Sequence, residues 1–499
     1  MRLFDRPELA TTRLIKTVML TRAVGVSHLC LILPEGGDGP EVGPELPGWD
    51  ALQAGLARRN IKALVDKPAG VEMPDGCLVS WIRVPVQGAT FEVHTRVREA
   101  LGPLLAEHAE HVHVAAYGPE AFRVRMLEAA AYCAWLNATP QPTLKTETPP
   151  RALKKITLQG ASTLPDLARL RALAEASVMT RLLTLMPPNV LTPGRYRKEV
   201  AGLARQHDWR MTTYGLDRLR SMGAGAFVAV AQGSPSEDAA IVRLVYDGRP
   251  KNGKRSGGDV ALVGKGICFD TGGHNLKPAR YMSGMHEDMN GSAVALGILL
   301  AATRLRLPLR LTVWLALAEN HLSPQSYTQN AVVTALNGTT IEVVHTDAEG
   351  RMVLADALTL AARGKPDVIL DFATLTGSMH TALGTRYSGV LSNRETLLGE
   401  AVAAGVATGE RVCAFPLAAD YVPALDSEIA DIKQCTLEGE ADHILAALFL
   451  KRFVEDRPWV HMDLSASRCK GGLGAVAGEV TSFGVAWGLE MLDRLAQTR

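Results

Sequence analysis

The spacing of apolar and polar positions divides the chain near residue 160. Over the first 140 residues, short apolar runs from Ser27 to Leu33 and from His111 to Ala116 read as strands, and the pattern from Pro119 to Leu136 reads as a helix. The tract Thr139-Pro-Gln-Pro-Thr-Leu-Lys-Thr-Glu-Thr-Pro-Pro-Arg151 is polar and proline-rich and predicts a boundary. A long helical pattern then runs from Leu164 to Leu185 and stops at Pro187-Pro188, because proline lacks the amide a helix needs. It predicts a connecting helix. Beyond it, nearly continuous apolar runs (Ala240 to Tyr246, Val260 to Val263, Leu309 to Ala318, Val368 to Phe372, Val460 to Leu464) alternate with helical patterns near 292 to 305, 351 to 363 and 442 to 455. Strands that are apolar on both faces and separated by helices predict a parallel sheet covered on both sides. The expected class is α/β: a smaller N-terminal α/β domain over 1–160, then a larger catalytic domain over 161–499 with a mostly parallel sheet covered by helices.

Composition narrows the function classes. A chain of 499 residues that is 47% hydrophobic can bury a large core and more than one domain. With 53 basic against 52 acidic residues the net charge is +1, so no overall field favours nucleic acid or an anionic membrane. Seven scattered cysteines form no C-x-x-C pair, which fits reduced thiols and predicts a cytoplasmic location. The first residues hold no apolar core ahead of a small-residue cleavage site, which argues against secretion. The apolar stretch Leu473 to Leu492 is interrupted by Glu479 and Glu490, so it reads as a core element and no membrane partner is expected.

The candidate chemistry is concentrated in two segments. In His345-Thr-Asp347-Ala-Glu349-Gly350-Arg351, an extended strand end would point residues 347 and 349 the same way, Gly350 would let the backbone turn, and Arg351 would fall in the first helical turn. Some eighty residues earlier, Lys265, Asp270, Lys277 and Asp288 lie in glycine-rich sequence between the apolar strand at Val260 to Val263 and a helix beginning at Ser292. A loop following a buried parallel strand is where α/β enzymes place their chemistry. Four buried carboxylates, Asp270, Asp288, Asp347 and Glu349, would raise one another's pKa values strongly, and two divalent cations would offset their charge. Such ligands suit Mg, Mn, Zn or Co without choosing among them. Two adjacent cations could activate a water and polarise a carbonyl for hydrolysis, and no side-chain general base is evident beside these motifs.

These segments closely resemble the leucine aminopeptidase (cytosol aminopeptidase) family. The resemblance rests on Gly264-Lys265-Gly-Ile-Cys-Phe-Asp270-Thr-Gly-Gly and on six of seven positions of the signature ending at Arg351. It continues through Pro187-Pro188-Asn189, Gly223 to Gly233, Ala373-Thr374-Leu375-Thr376-Gly377 and Ile429-Ala-Asp431-Ile-Lys433. It implies a two-metal aminopeptidase that removes N-terminal, Leu-like residues from peptides with a free amino terminus and assembles as a homohexamer. Two divalent ions per subunit are implied, manganese or zinc ahead of magnesium or cobalt, held by Lys265, Asp270, Asp288, Asp347 and Glu349. Lys265 would bind as the neutral amine. Lys277 would stabilise the oxyanion, and Arg351, with helix N-terminal amides, would hold a bicarbonate that shuttles the proton. Met285, Thr374, Leu375 and Gly377 are candidates for the substrate pocket or anion site.

The chain also departs from the family. His345 stands where the signature has Asn, His274-Asn275 replaces Ile-Ser, and His286 precedes Asp288; rim or supporting roles are expected for these histidines rather than extra ligands. Glu438-Gly-Glu440-Ala-Asp442-His443 replaces a glycine-rich stretch, where pocket shape or subunit contacts would differ. Two alternatives stay open: a nucleic-acid-binding or regulatory protein on the same fold, disfavoured by the net charge, and a narrow dipeptidase such as one acting on cysteinylglycine. Other motifs fail. There is no H-E-x-x-H and no G-x-S-x-G, and the segment Gly248 to Arg255 lacks the Ser or Thr of a phosphate loop and reads as a polar hairpin-like loop.

Overall fold

The structure is a computed structural model that describes residues 8–16, 25–35, 46–61, 67–141, 143–146, 151–162, 167–250 and 258–497. The start of the helical pattern at Leu164, parts of the proline-rich tract and most of the Gly248 to Arg255 loop lie outside the described residues. Two large sheets organise the chain. The first has six strands in the order Thr11–Ile15, Lys155–Gln159, His111–Ala116, His28–Glu35, Leu78–Pro85 and Ala69–Glu72, parallel except for the last pair.

The second sheet has eight strands, in the order Val412–Ala414, Ser388–Ser392, Trp459–Asp463, Val368–Ala373, Asp259–Asp270, Arg310–Asn320, Ala240–Asp247 and Arg210–Gly215. Its four central strands, Trp459–Asp463 to Arg310–Asn320, are parallel, which is the expected mixed α/β architecture. Ala240–Asp247, read from sequence as one of the parallel set, instead runs antiparallel to Arg310–Asn320. An interior strand with both faces covered is apolar throughout whichever way it runs, so the pattern could not show its direction. Along Asp259–Asp270, Val260 and Leu262 face the helix Asn290–Arg304, while Ala261 and Val263 face the helix Glu349–Arg363.

That central strand is twelve residues long and carries Lys265 within it, not in the loop that the glycines had predicted. Its glycines serve close packing. A Cβ on Gly264 would lie 2.5 Å from Ser292 Cα, so the helix passes the strand at backbone distance. The helix Leu167–Thr184 is more than a connector. Its Arg181, buried, donates from Nη1 to Leu136 O at 2.8 Å and from Nε to Val480 O at 3.0 Å, tying the N-terminal helix Glu120–Ala138 to the C-terminal region. Residues of both sheets share one hydrophobic core around it. Among the described residues no helix is long and apolar enough to cross a membrane.

Candidate active site

The C-terminal ends of the central parallel strands supply the site. Asp270 ends the strand Asp259–Asp270, Thr374 follows Val368–Ala373, and Asp463 ends Trp459–Asp463. Asp288 comes after the short turn Met285–Glu287, and Glu349 is the first residue of the helix Glu349–Arg363. All eleven residues expected from the sequence as metal ligands, catalytic groups or pocket wall line one cavity of about 910 Å³.

Two local expectations need correction. Asp347 sits in a turn and Glu349 in a helix, so the two carboxylates converge because the chain folds back at Thr346, not through strand alternation. Gly350 is helical and makes no turn. A Cβ there would meet Lys265 Cε at 2.6 Å and Lys265 Nζ at 2.7 Å, so its missing side chain makes room for the lysine.

The charged groups form two linked clusters. Lys265 Nζ lies 2.7 Å from Asp288 Oδ2 and 2.9 Å from Glu349 Oε1, and donates to Thr374 O at 2.9 Å. The Thr374 hydroxyl donates to Asp288 Oδ1 at 2.7 Å. Lys277 Nζ lies 3.0 Å from Asp270 Oδ2 and 2.5 Å from Asp347 Oδ1. Oxygens of Asp270, Asp347 and Glu349 come within 4.8 Å of one another, while Asp288 stands with Lys265 outside that trio.

Burial dominates the electrostatics. It pushes the Asp288, Asp347 and Glu349 carboxyls up, helped by repulsion among them and Asp270 and opposed by the two lysines. Burial works against the charge on Lys265 and Lys277, but the surrounding carboxylates outweigh it and hold both ammonium groups protonated above the usual lysine range. Four carboxyls thus crowd round two lysines, and Glu349 Oε2 is buried without a hydrogen-bond partner. An orphaned carboxylate oxygen within a trio of converging carboxylates fits a divalent cation.

Several supporting residues were not visible in sequence. Asn320 Nδ2 donates to Asp270 Oδ1 at 2.8 Å and to Thr346 O at 3.1 Å, and Tyr327 OH donates to Thr346 O at 2.7 Å. Gln434 accepts from Val344 N and His345 N at 3.2 Å and donates to Ala348 O at 3.0 Å, bracing the turn that carries Asp347. Asp463 accepts from Leu375 N at 3.1 Å and from the Thr376 hydroxyl at 2.6 Å, which sets the loop of Thr374, Leu375 and Gly377. Each partner lies tens of residues from what it holds, and no local spacing links them.

The histidines divide. His345 lines the cavity, half-buried, with Asp347 N donating to its Nδ1 at 3.3 Å; burial lowers its pKa. His274 is exposed, and neither it nor His286 lines the cavity. Arg351 is 2% exposed. It donates from Nη1 to Gln434 O at 3.0 Å and from Nη2 to Asp442 Oδ1 at 2.8 Å.

Known proteins resemble this chain. Residues 178–487 match the catalytic domain of the cytosol aminopeptidase family. A probable cytosol aminopeptidase of Pseudomonas fluorescens (strain Pf0-1) is 40% identical over 330 residues, 65% of each chain. One of Methylobacterium radiotolerans is 38% identical over 327 residues, 65% of this chain and 63% of the relative. The match thus spans just under two thirds of these curated relatives. Among solved structures, the bottromycin maturation enzyme BotP in complex with Mn is similar at a TM-score of 0.80 and 29% identity, covering 94% of this chain and 100% of that one. By its strand-end cluster of lysines and carboxylates and by a match over most of its length, the chain belongs to the cytosol aminopeptidase family.

Proposed function

We propose that this protein is a metal-dependent aminopeptidase that hydrolyses N-terminal, Leu-like residues from peptides. The observation that carries the reading is the pair of linked clusters, Lys265–Asp288–Glu349 and Asp270–Asp347–Glu349, joined at Glu349, whose second oxygen is buried without a partner. Lys265, Asp270, Asp288, Asp347 and Glu349 would hold two divalent cations, manganese or zinc by preference. Bound there, the cations supply activation of a water and polarisation of the scissile carbonyl. As a ligand, Lys265 would give up the proton that its carboxylate neighbours now hold. Lys277, paired with Asp270 and Asp347, would meet negative charge developing on the carbonyl oxygen. Met285, Thr374, Leu375 and Gly377, on the wall of the same cavity, would receive the N-terminal side chain.

The division between domains is proposed at 160/161, because the N-terminal sheet is completed by Lys155–Gln159. The homohexamer and the cytoplasmic location are proposals from family likeness. The test is reconstitution of metal-stripped protein with Mn, Zn, Co or Mg and assay against aminoacyl amides and N-acetylated controls, with mass measured by light scattering. Metal-restored hydrolysis of the free-amine substrates alone is expected. Equal turnover of acetylated substrates would refute the aminopeptidase reading, and hydrolysis confined to cysteinylglycine would favour the narrow dipeptidase.

A further inference from the structure

The arginine expected to seat a bicarbonate is already engaged by this chain's own carboxylate. Arg351 is buried, and two of its three guanidinium nitrogens are partnered, Nη1 by Gln434 O and Nη2 by Asp442 Oδ1 at 2.8 Å. Nε is the one nitrogen without a partner, and a planar anion is held best by two parallel donors. Asp442 is the first residue of the helix Asp442–Lys451 and follows Ala441 in the left-handed region at φ 51°. A non-glycine residue is strained there, so the turn presents Asp442 at a cost in backbone energy. The side chain of Asp442 remains 22% exposed on the wall of the same cavity as the acidic cluster. His345 lines the same cavity and lies within electrostatic reach of Lys277, Asp442 and Arg351.

We infer that Asp442 is the resident anion of the Arg351 seat and takes the place of bicarbonate as proton acceptor for hydrolysis. The inference rests on the aminopeptidase reading. A proton leaves the attacking water for the Asp442 carboxylate as the new O–C bond forms. It passes to the amine nitrogen as the C–N bond breaks, and the carboxylate is restored. Arg351 holds the acceptor in place through the charge-assisted bond at 2.8 Å.

Two substitutions separate this role from simple support of the arginine. In CO2-free buffer Asp442→Gly should lose about 10² or more in kcat, the usual scale of general acid–base catalysis, with metals retained, and should regain rate on addition of bicarbonate or formate. Asp442→Asn keeps an acceptor for Arg351 but no base, and should stay slow with or without bicarbonate. The wild type should be indifferent to bicarbonate. A second readout needs no turnover: line broadening of 13C-labelled bicarbonate should appear with metal-loaded Asp442→Gly and be absent with the wild type. The inference is overturned by bicarbonate stimulating or binding the wild type, by full rate in CO2-free Asp442→Gly, or by full rate in Asp442→Asn, which would leave Asp442 a positioning residue. Failure of the peptidase reading looks different: the wild type would hydrolyse no aminoacyl amide with any metal, whatever the binding measurement shows.

Discussion

Gly350→Ala isolates the close approach of the helix Glu349–Arg363 to Lys265. The added Cβ would lie 2.6 Å from Lys265 Cε, 2.7 Å from Nζ and 2.9 Å from Leu375 Cδ1. Comfortable contact needs roughly 3.5 Å, so the lysine must retreat by roughly 0.8 Å. It has nowhere free to go, being held by Asp288, Glu349 and Thr374 O at 2.7 to 2.9 Å. A displacement near 1 Å at a reacting site costs on the order of 10²-fold in rate. Stability changes far less, since alanine gains about 1 kcal/mol over glycine in a helix and overpacking costs about 1–3 kcal/mol. The variant should therefore melt cooperatively near the wild-type temperature yet show kcat/KM lowered about 10²-fold and weaker metal binding. Calorimetry, elemental analysis of bound metal and steady-state kinetics on an aminoacyl amide check all three. Wild-type kcat/KM with full metal content would refute the argument that Lys265 must stay where Gly350 admits it.

Asp347→Asn and Glu349→Gln should each lower metal occupancy together with rate; purified variants holding two metals and turning over normally would remove these residues from the ligand set. Lys277→Ala should keep its metals and lose about 10² to 10³ in kcat, so near-normal kcat would exclude an oxyanion role. Glu410 does not line this cavity, and burial pushes its carboxyl up to about 7 even though Trp487 N and Gly484 N donate to it at 2.8 and 2.9 Å. Because the folded pKa exceeds the unfolded one, the folded state holds the proton more tightly, so stability is greatest below the ordinary glutamate pKa, falls as pH rises towards 7 and is flat above. Glu410→Gln should flatten that decline and gain on the wild type in melting temperature between pH 5 and 8; parallel curves would refute the assignment.

The local chemistry of this protein was largely legible in its residues. Lys265 and Asp270 are close neighbours along the chain, as are Asp347, Glu349 and Arg351 in a second segment, and the spacing of such unusual residue types is informative before any folding. Apolar periodicity likewise located the central strands and their helices, because burial on two faces leaves few polar positions. Strand direction and the length of Asp259–Asp270 were not legible, since an interior strand is apolar either way and Gly264 and Gly266 resemble loop punctuation until a helix is packed against them. The convergence of Asp347 and Glu349 needed the turn at Thr346, which Asn320, Tyr327 and Gln434 hold from other parts of the chain. The pairing of Arg351 with Asp442 joins residues 91 positions apart. Contacts of that kind follow from how layers stack around a shared core, and a one-dimensional pattern carries no record of them.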